Sequence, residues 1–223
     1  MLDWLIDLDK SVLLFCNAHH TMWADNYFWM LSARWYNLFL ILPLLYILLS
    51  SRKWAEASMV LLAIAVTILL CDQIASSVCK PLFERLRPTH DPSLSVITVN
   101  NYRGGLYGFV SSHAANSFGV ATLLCLIFRD RLFTISIFLW AILVSYSRIY
   151  LGVHFPGDIL AGANLGCIVG WGIFRLYNSV RKLTLSSRCN VSLQSPYFRD
   201  VKAKYFAIYI FLLLLFTLVV ASC

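Results

Sequence analysis

Between two apolar runs the chain reads Tyr146-Ser-Arg-Ile-Tyr-Leu-Gly-Val-His-Phe-Pro-Gly-Asp158. This segment places Arg148, His154 and Asp158 at a depth where ionisable side chains are costly in a membrane protein. Because such groups need a compensating reason to be there, the segment predicts a catalytic role for these three residues.

The composition of the chain predicts a membrane protein. Of 223 residues, 60% are hydrophobic and only 13% are charged, which is too little charge for an ordinary soluble domain. The formal net charge is +7, but the cations lie in short loops between apolar runs and form no basic stripe. We therefore expect anionic lipid, not nucleic acid, as the partner. No pattern in the sequence defines an oligomeric state.

The cysteines and the N-terminus exclude several other classes of protein. Seven cysteines lie mostly inside apolar runs, show no C-x-x-C pair and are odd in number, which favours small buried hydrophobic residues over disulfides or a zinc site. Asp3, Asp7 and Asp9 stand where a signal peptide would carry basic residues. We therefore expect no cleaved leader, and insertion through internal helices.

Hydropathy predicts an all-α fold, a polytopic membrane helical bundle with about six transmembrane helices. An amphipathic segment, residues 1–22, is predicted to form a helix either on the membrane interface or against the protein itself. A membrane domain is expected in residues 23–180, followed by a basic cytoplasmic loop, 181–204, and an additional transmembrane helix, 205–223. The six predicted spans are residues 27–50, 55–79, 113–128, 132–147, 158–174 and 205–223.

The distribution of positive charge predicts the orientation of this bundle. The side that holds residues 52–56, 129–131 and 175–204 carries 11 of the 18 cations and 3 of the 11 acids, and the opposite side carries 7 and 8. By the positive-inside rule the first side is cytoplasmic. The two polar regions, 80–112 and 148–158, then face outward, which in a bacterium is the periplasmic face of the inner membrane.

The first polar cluster on that outer side is Lys80-Pro-Leu-Phe-Glu-Arg-Leu-Arg87-Pro88. Lys80 and Arg87 are predicted to project from one face of a short helix that Pro88 ends, and a fixed pair of cations suits a phosphate group. Snorkelling at a helix end explains most cations near a membrane surface, and it is our interpretation of Arg85 and Arg103.

The second cluster, Val110-Ser111-Ser112-His113, lies where a loop turns into a helix. Backbone N–H groups in the first turn of a helix can bind an oxyanion, here beside a serine hydroxyl and a histidine. A lone histidine at such a position is more often a capping or packing residue. The neighbouring clusters are what favour a functional interpretation of His113.

In the third cluster, His154 and Asp158 are separated by four residues, and Pro156 can occupy the first helical turn. The carboxylate can then fix the tautomer of the imidazole and leave an unprotonated nitrogen as a nucleophile. A metal site is the alternative, but His113, His154 and Asp158 are the only obvious ligands and nearby cations would repel a divalent ion.

The three clusters resemble the three signatures of the type-2 phosphatidic-acid phosphatase superfamily, membrane lipid phosphatases that share their site with vanadium-dependent haloperoxidases. K-x6-R-P matches at residues 80–88 and S-R-x5-H-x3-D matches at 147–158. P-S-G-H corresponds to residues 110–113, where valine replaces proline and Ser112 replaces glycine. The resemblance covers about residues 55–175.

The resemblance implies a metal-independent phosphatase without a cofactor. His154 is expected to attack phosphorus and form a phosphohistidine, Asp158 to orient His154, and His113 to protonate the leaving oxygen. The phosphoryl oxygens are expected to be held by the phosphate-binding residues Lys80, Arg87, Ser111, Ser112 and Arg148.

A site that opens sideways at the outer ends of the spans suits a lipid phosphate whose tail stays in the bilayer. The compact chain resembles small lipid A phosphatases of Gram-negative bacteria, which favours lipid A as the substrate. Undecaprenyl diphosphate, phosphatidylglycerol phosphate and phosphatidic acid stay open. From other classes, a phosphate or lipid transporter lacks support because no internal repeat is present, and a short membrane chain disfavours a vanadate-binding oxidase.

Overall fold

The computed structural model describes residues 2–50, 53–185, 197 and 200–222, and the regular secondary structure in these ranges is helical. A bridge between Leu86 and Tyr107 is the exception. Short 3-10 helices lie at Arg34–Asn37, Pro88–His90 and Val99–Asn101, and a π-helical turn at Ile74–Cys79 joins α4 to α5. The α-helices are α1 Leu2–Asn17, α2 Met22–Ser32, α3 Leu38–Ser50, α4 Trp54–Gln73, α5 Lys80–Phe83, α6 Ser112–Phe128, α7 Arg131–Tyr150, α8 Pro156–Leu185 and α9 Val201–Ala221.

Within the described residues, four helical segments are long and apolar enough to cross a membrane. They are Trp54–Phe83, Arg131–Tyr150, Pro156–Thr184 and Val201–Ala221, with 30, 20, 29 and 21 residues. Each reaches the ~20 residues that a bilayer requires. α3 and α6 are apolar but shorter. The protein is therefore a multi-pass membrane protein.

The predicted first span, residues 27–50, is wrong as a continuous helix. The chain leaves the helical conformation at Ala33, whose φ is −72° and ψ is 140°, and passes through the 3-10 turn Arg34–Asn37 before α3 begins. Tyr36 in this turn is buried, and its hydroxyl lies 2.9 Å from Thr217 Oγ1 on α9. The helix therefore breaks where Tyr36 packs against α9. The hydropathy of the local sequence cannot predict this contact.

Close contact between α6 and α8 sets the distance between two of the predicted clusters. A Cβ on Gly162, Gly166 or Gly170 of α8 would come within 2.3 to 2.6 Å of backbone oxygens of α6 or of Ser111, its N-cap residue. Glycines at every fourth position let two helix backbones approach in a membrane. The N-terminal end of α8, which carries Asp158, consequently lies beside the N-terminal end of α6, where Ser111 N donates to Asp158 O at 3.1 Å.

α9 packs against α7 and α2 and contributes to the apolar core. Phe206 lies with its ring centroid 5.8 Å from Phe133 of α7, and Trp23 Nε1 donates to Leu218 O at 3.1 Å. Of the predicted basic loop, 181–204, the first residues continue α8 to Leu185 and α9 begins at Val201. Residues 186–196, 198 and 199 lie outside the described residues.

α1 packs on the protein through one side and exposes apolar residues on the other. Leu13 is fully buried, whereas Trp4, Leu5, Leu8 and Phe15 are exposed. Of the two placements predicted for the N-terminal helix, contact with the protein itself is therefore present in the structure. The exposed apolar row is the side that a membrane interface would cover.

A buried ion pair links α4 to α8 at the end of the bundle remote from the three clusters. Arg181 Nε donates to Glu56 Oε1 at 2.8 Å, and Tyr177 Oη donates to Glu56 Oε2 at 3.2 Å. Both charged side chains are less than one tenth exposed. Removing one partner of a buried pair leaves an uncompensated charge, which costs about 3 kcal/mol or more.

We expect Arg181→Met to lower the free energy of unfolding by about 3 kcal/mol because the Glu56 carboxylate would be left buried without its cation. Thermal unfolding of the purified protein in detergent measures this loss. Lys182→Met, at the exposed neighbouring position, is the matched control and should leave the midpoint within a degree or two. Equal midpoints for the two variants would contradict a stabilising role for this ion pair.

Candidate active site

Lys80 lies at the end of the long α4–α5 segment and reaches the start of α6. Its Nζ donates to Ser112 Oγ at 2.9 Å and to Ser76 Oγ at 3.2 Å. Ser112 is the residue that replaces the glycine of the resembled signature. The Ser112 hydroxyl accepts a hydrogen bond from Lys80 Nζ and thereby orients the ammonium group.

The prediction that one short helix carries both Lys80 and Arg87 is wrong. α5 ends at Phe83, and Glu84 adopts a left-handed conformation with φ 45° that turns the chain back. A left-handed residue closes many helix ends, and here it redirects the segment before Arg87. Lys80 and Arg87 nevertheless interact electrostatically, so the two cations converge through the fold of the loop and not through a shared helical face.

The loop that follows holds the Arg87 side chain in place. Arg87 N donates to Leu106 O at 3.0 Å and Arg87 Nε donates to Tyr107 O at 3.1 Å. Gly104, with φ +69°, lies against the guanidinium, and a Cβ there would be 2.6 Å from Arg87 Nη1. Burial, the first cause, and the nearby Arg148 cation both lower the pKa of Arg87 from its ordinary value, although an arginine stays charged at neutral pH.

We expect Gly104→Ala to lower kcat/KM about 100-fold, because the new Cβ and the unfavourable positive φ would both displace the Arg87 guanidinium. Steady-state phosphate release measures the effect. Gly105→Ala is the matched control, since nothing lies within 4 Å of a Cβ at that position. Similar kinetics in the two variants would show that the position of Arg87 does not matter for turnover.

The second cluster forms the N-terminal turn of α6. Ser111 is the N-cap residue, and its Oγ accepts from Ala114 N at 3.4 Å. This contact leaves the hydroxyl proton of Ser111 available to another acceptor. The N–H groups of Ser112 and His113 lie in the first helical turn, which has no intrahelical acceptors for them. His113 interacts electrostatically with Arg148, His154, Arg87 and Lys80, which places its imidazole among the residues of the other clusters.

A tight turn between α7 and α8 presents His154. Gly152 adopts φ +70°, and the N–H groups of Val153 and His154 both donate to Arg148 O, at 3.1 and 3.2 Å. Pro156 then opens α8, a position that proline favours because no N–H is needed there. The turn therefore fixes His154 directly between the two helices.

Asp158 is fixed by the start of its own helix. Its Oδ2 accepts a hydrogen bond from Phe155 N at 3.1 Å. An acidic side chain in the first turn often accepts the backbone N–H of the residue that precedes the helix in this way. The same oxygen lies 3.4 Å from His154 Nδ1. This distance is long for a hydrogen bond, as catalytic hydrogen bonds often are in unliganded enzymes. The predicted pairing of His154 and Asp158 is therefore present, with the carboxylate and imidazole both buried.

The surroundings of His154 favour its neutral form. Burial, followed by the charges of Arg87, Arg148 and Lys80, lowers the pKa of His154 well below its ordinary value, and a backbone hydrogen bond with Gly108 opposes this shift. A neutral imidazole has one unprotonated ring nitrogen. The environment therefore supports the nucleophile that the sequence predicts.

Arg148 extends from the last turn of α7 toward Tyr102. Its Nη2 donates to Tyr102 Oη at 3.2 Å, and its guanidinium carbon lies 5.4 Å from the Tyr102 ring centroid. Among the described residues, Arg148 Nε is buried and has no hydrogen-bond partner. A buried donor of this kind is available to a substrate oxygen. Tyr102 has no motif signal in the sequence and was not predicted.

The assignment of Arg85 to snorkelling is wrong. Its side chain is 27% exposed and forms ion pairs with Asp9 at 2.6 Å and with Asp158 at 2.8 Å. Arg103, assigned in the same way, is exposed. Sequence spacing alone does not separate the two arginines, because the partners of Arg85 lie 76 and 73 residues away in the chain.

The structure thus brings the predicted residues to one end of the bundle, where α6 and α8 begin and α7 ends. Cationic donors surround a neutral histidine that is backed by a buried carboxylate. Such a site can bind a tetrahedral oxyanion and stabilise charge on its oxygens. The helical membrane fold and this arrangement of side chains together indicate a membrane enzyme that acts on phosphate esters.

Comparisons with known proteins agree with this class. The family model of the PAP2 superfamily matches residues 59–182. The lipid A 4'-phosphatase of Porphyromonas gingivalis is 34% identical over 201 residues, which is 89% of this chain and 85% of that protein. The lipid A 4'-phosphatase of Bacteroides thetaiotaomicron is 42% identical over 174 residues, 77% of either chain. The crystal structure of Aquifex aeolicus LpxE superposes with a TM-score of 0.58 at 27% identity, covering 74% of this chain and 93% of that one. The chain belongs to the PAP2 superfamily, as the resemblance of its motifs predicts.

Proposed function

We propose that this protein is a membrane phosphatase that removes a phosphate group from lipid A. The observation that carries the proposal is the convergence of three cations and a neutral, carboxylate-backed histidine at one end of a membrane bundle. The substrate is supported by the two lipid A 4'-phosphatases, which match most of the chain at 34% and 42% identity. The protein is thus a hydrolase of lipid phosphates, with lipopolysaccharide modification as its role.

The proposed reaction begins with attack of the unprotonated His154 nitrogen on phosphorus. The bond between phosphorus and the leaving oxygen breaks, His113 gives that oxygen a proton, and a phosphohistidine forms. Asp158 stabilises the positive charge that His154 gains. Water, deprotonated by the now neutral His113, then attacks phosphorus, releases inorganic phosphate and returns His154 to its starting form.

The remaining site residues bind the phosphoryl oxygens. Lys80, Arg87 and Arg148 supply positive charge, and the Ser111 hydroxyl with the Ser112 N–H supplies further donors. These groups stabilise the negative charge on the three equatorial oxygens in the transition state, where fixed dipoles and cations contribute most.

We further propose the predicted topology of six membrane crossings in the bacterial inner membrane, with the site on the periplasmic face. The supporting observation is the excess of lysine and arginine on the side of residues 52–56, 129–131 and 175–204. In this topology α2 and α3 together form one crossing, α1 lies at the interface, and the substrate phosphate is displayed on the outer leaflet.

The proposed function is tested by presenting several lipids to the purified protein. Lipid A, undecaprenyl diphosphate and phosphatidylglycerol phosphate are incubated separately, and the mass of each product is measured. We expect lipid A to lose one phosphate group at a rate at least tenfold above the others. Loss of phosphate from undecaprenyl diphosphate or phosphatidylglycerol phosphate alone would overturn lipid A as the substrate, and loss from none of them would overturn the proposed function.

A further inference from the structure

The N-terminal helix α1 reaches the predicted active site through Asp9. Asp9 Oδ2 accepts from Arg85 Nη2 at 2.6 Å, and Asp9 Oδ1 accepts from Gly157 N at 2.7 Å. Gly157 lies in the first turn of α8, where backbone N–H groups lack intrahelical acceptors. Asp9 therefore satisfies the start of the helix that carries Asp158, although 148 residues separate Asp9 from Gly157 in the chain.

Arg85 connects Asp9 to the carboxylate behind the histidine. Its Nη1 donates to Asp158 Oδ1 at 2.8 Å while its Nη2 contacts Asp9. The guanidinium carbon lies 4.1 Å from the Phe155 ring centroid, a distance that restricts how the side chain can move. One planar group thus joins two carboxylates, and the other oxygen of Asp158 faces His154.

We infer that Asp9 and Arg85 are positioning residues for His154 and act through Asp158, so that α1 forms part of the catalytic unit. This inference rests on the nucleophilic role proposed for His154. The four groups form a row of alternating character: imidazole, carboxylate, guanidinium, carboxylate. No residue of α1 belongs to the three motif clusters.

Asp158 needs Arg85 and Asp9 because burying a carboxylate completely costs free energy. Asp158 is 0% exposed, and a buried charge without a hydrogen-bonded partner is strongly unfavourable. Arg85 offsets that cost. By itself, however, the guanidinium would weaken the attraction between Asp158 and the positive charge that develops on His154. Asp9 offsets the charge of Arg85, and the pair therefore favours the ionised form of Asp158 without reducing its support for the phosphohistidine.

Further contacts hold α1 where Asp9 can act. Lys10 Nζ lies 3.4 Å from Asp91 Oδ2 in the loop that precedes α6. At the end of α1, the Asn17 side chain donates to Tyr150 O at 2.9 Å and accepts from Ile97 N at 2.8 Å. These contacts fix α1 against both the polar loop and the end of α7, so the position of Asp9 is defined relative to the site.

The test measures kcat and KM for Asp9→Asn and Arg85→Gln with lipid A as substrate. Loss of a group that orients a metal ligand typically costs 10- to 100-fold. Because Asp9 and Arg85 would orient Asp158 in the same manner, we expect kcat to fall about 10-fold for Asp9→Asn and about 100-fold for Arg85→Gln. KM should change less than about twofold, because neither residue touches the phosphate. Asp7→Asn, on the exposed side of α1, and Arg103→Gln, in the same loop as Arg85, are the matched controls and should retain wild-type kcat.

A double-mutant cycle separates positioning from general structural support. In an Asp158→Asn background, Asp9→Asn should lower the residual kcat by less than about twofold, because its effect passes through the missing carboxylate. An equal loss in both backgrounds would overturn the inference, as would wild-type kcat in Asp9→Asn. If Asp9→Asn fails to fold, the loss of kcat is measured instead for Asp9→Glu and Arg85→Lys, each in the wild-type and the Asp158→Asn backgrounds. Release of phosphate from none of the tested lipids by the wild-type protein would overturn the proposed function instead, so the two failures are distinguishable.

Discussion

His154→Ala is expected to abolish lipid phosphatase activity, with kcat reduced by roughly four orders of magnitude or more. The side chain is 1% exposed and is the buried, neutral imidazole of the site. Removing it takes away the atom that forms the covalent intermediate, and water cannot occupy the same restrained position with comparable reactivity. Release of inorganic phosphate from lipid A by the purified variant measures the loss.

The control for this experiment is His19→Ala. His19 is exposed, and its ring contacts Phe15 near the end of α1. This variant should keep wild-type kcat. Substantial phosphate release by a correctly folded His154→Ala protein would remove His154 from the proposed reaction, whatever the substrate is.

Arg148→Lys is the second variant with a large expected effect. We expect kcat/KM to fall by about 100- to 1000-fold, the cost of removing one donor that stabilises a transition-state oxyanion. The guanidinium contacts Tyr102 with one nitrogen and keeps a buried Nε for the substrate. A lysine ammonium is a compact point charge and cannot make both contacts in one plane. Steady-state kinetics with lipid A measures this change.

Arg131→Lys provides the comparison for Arg148→Lys, because Arg131 starts the same helix at its exposed opposite end. It should behave as wild type. Kinetics within threefold of wild type for Arg148→Lys would mean that the site needs only positive charge at this position, which would remove the proposed contact between Arg148 Nε and the substrate.

Contacts among the proposed site residues could be predicted from the sequence where they depend on local spacing. His154 and Asp158 are four residues apart, and a helix beginning at Pro156 brings them together by itself. Lys80 and Arg87 interact electrostatically, but the predicted common helix is wrong, because a left-handed turn at Glu84 ends α5 before Arg87. Residue type and motif order thus carried more information than the assumed local helix.

Contacts between distant parts of the chain could not be predicted in this way. The break at Ala33 coincides with packing of Tyr36 on α9, 181 residues further along the chain. The ion pairs of Arg85 likewise depend on α1 and α8, and local sequence assigns this residue no partner. Periodicity and hydropathy report only a residue's own segment, so interactions that depend on the assembled bundle appear only in the structure.

The N-terminal helix illustrates the same difference. Its amphipathic pattern was compatible with the membrane surface or with the protein, and polar contacts of Asp9, Lys10 and Asn17 place one side of it on the protein. The exposed row of apolar residues remains on the other side. One helix thus contacts the proposed site through polar side chains and leaves an apolar row exposed on its other side.

The central claim is that phosphate passes from lipid A to His154 before it reaches water. Rapid mixing of the enzyme with lipid A, quenching in alkali to preserve phosphohistidine, and mass spectrometry of the digested protein test it directly. We predict one phosphoryl group on the peptide that contains His154, formed within a single turnover and absent from Asp158→Asn at the same time point. A phosphoryl group on another residue, or complete turnover with no modified peptide, would contradict the account.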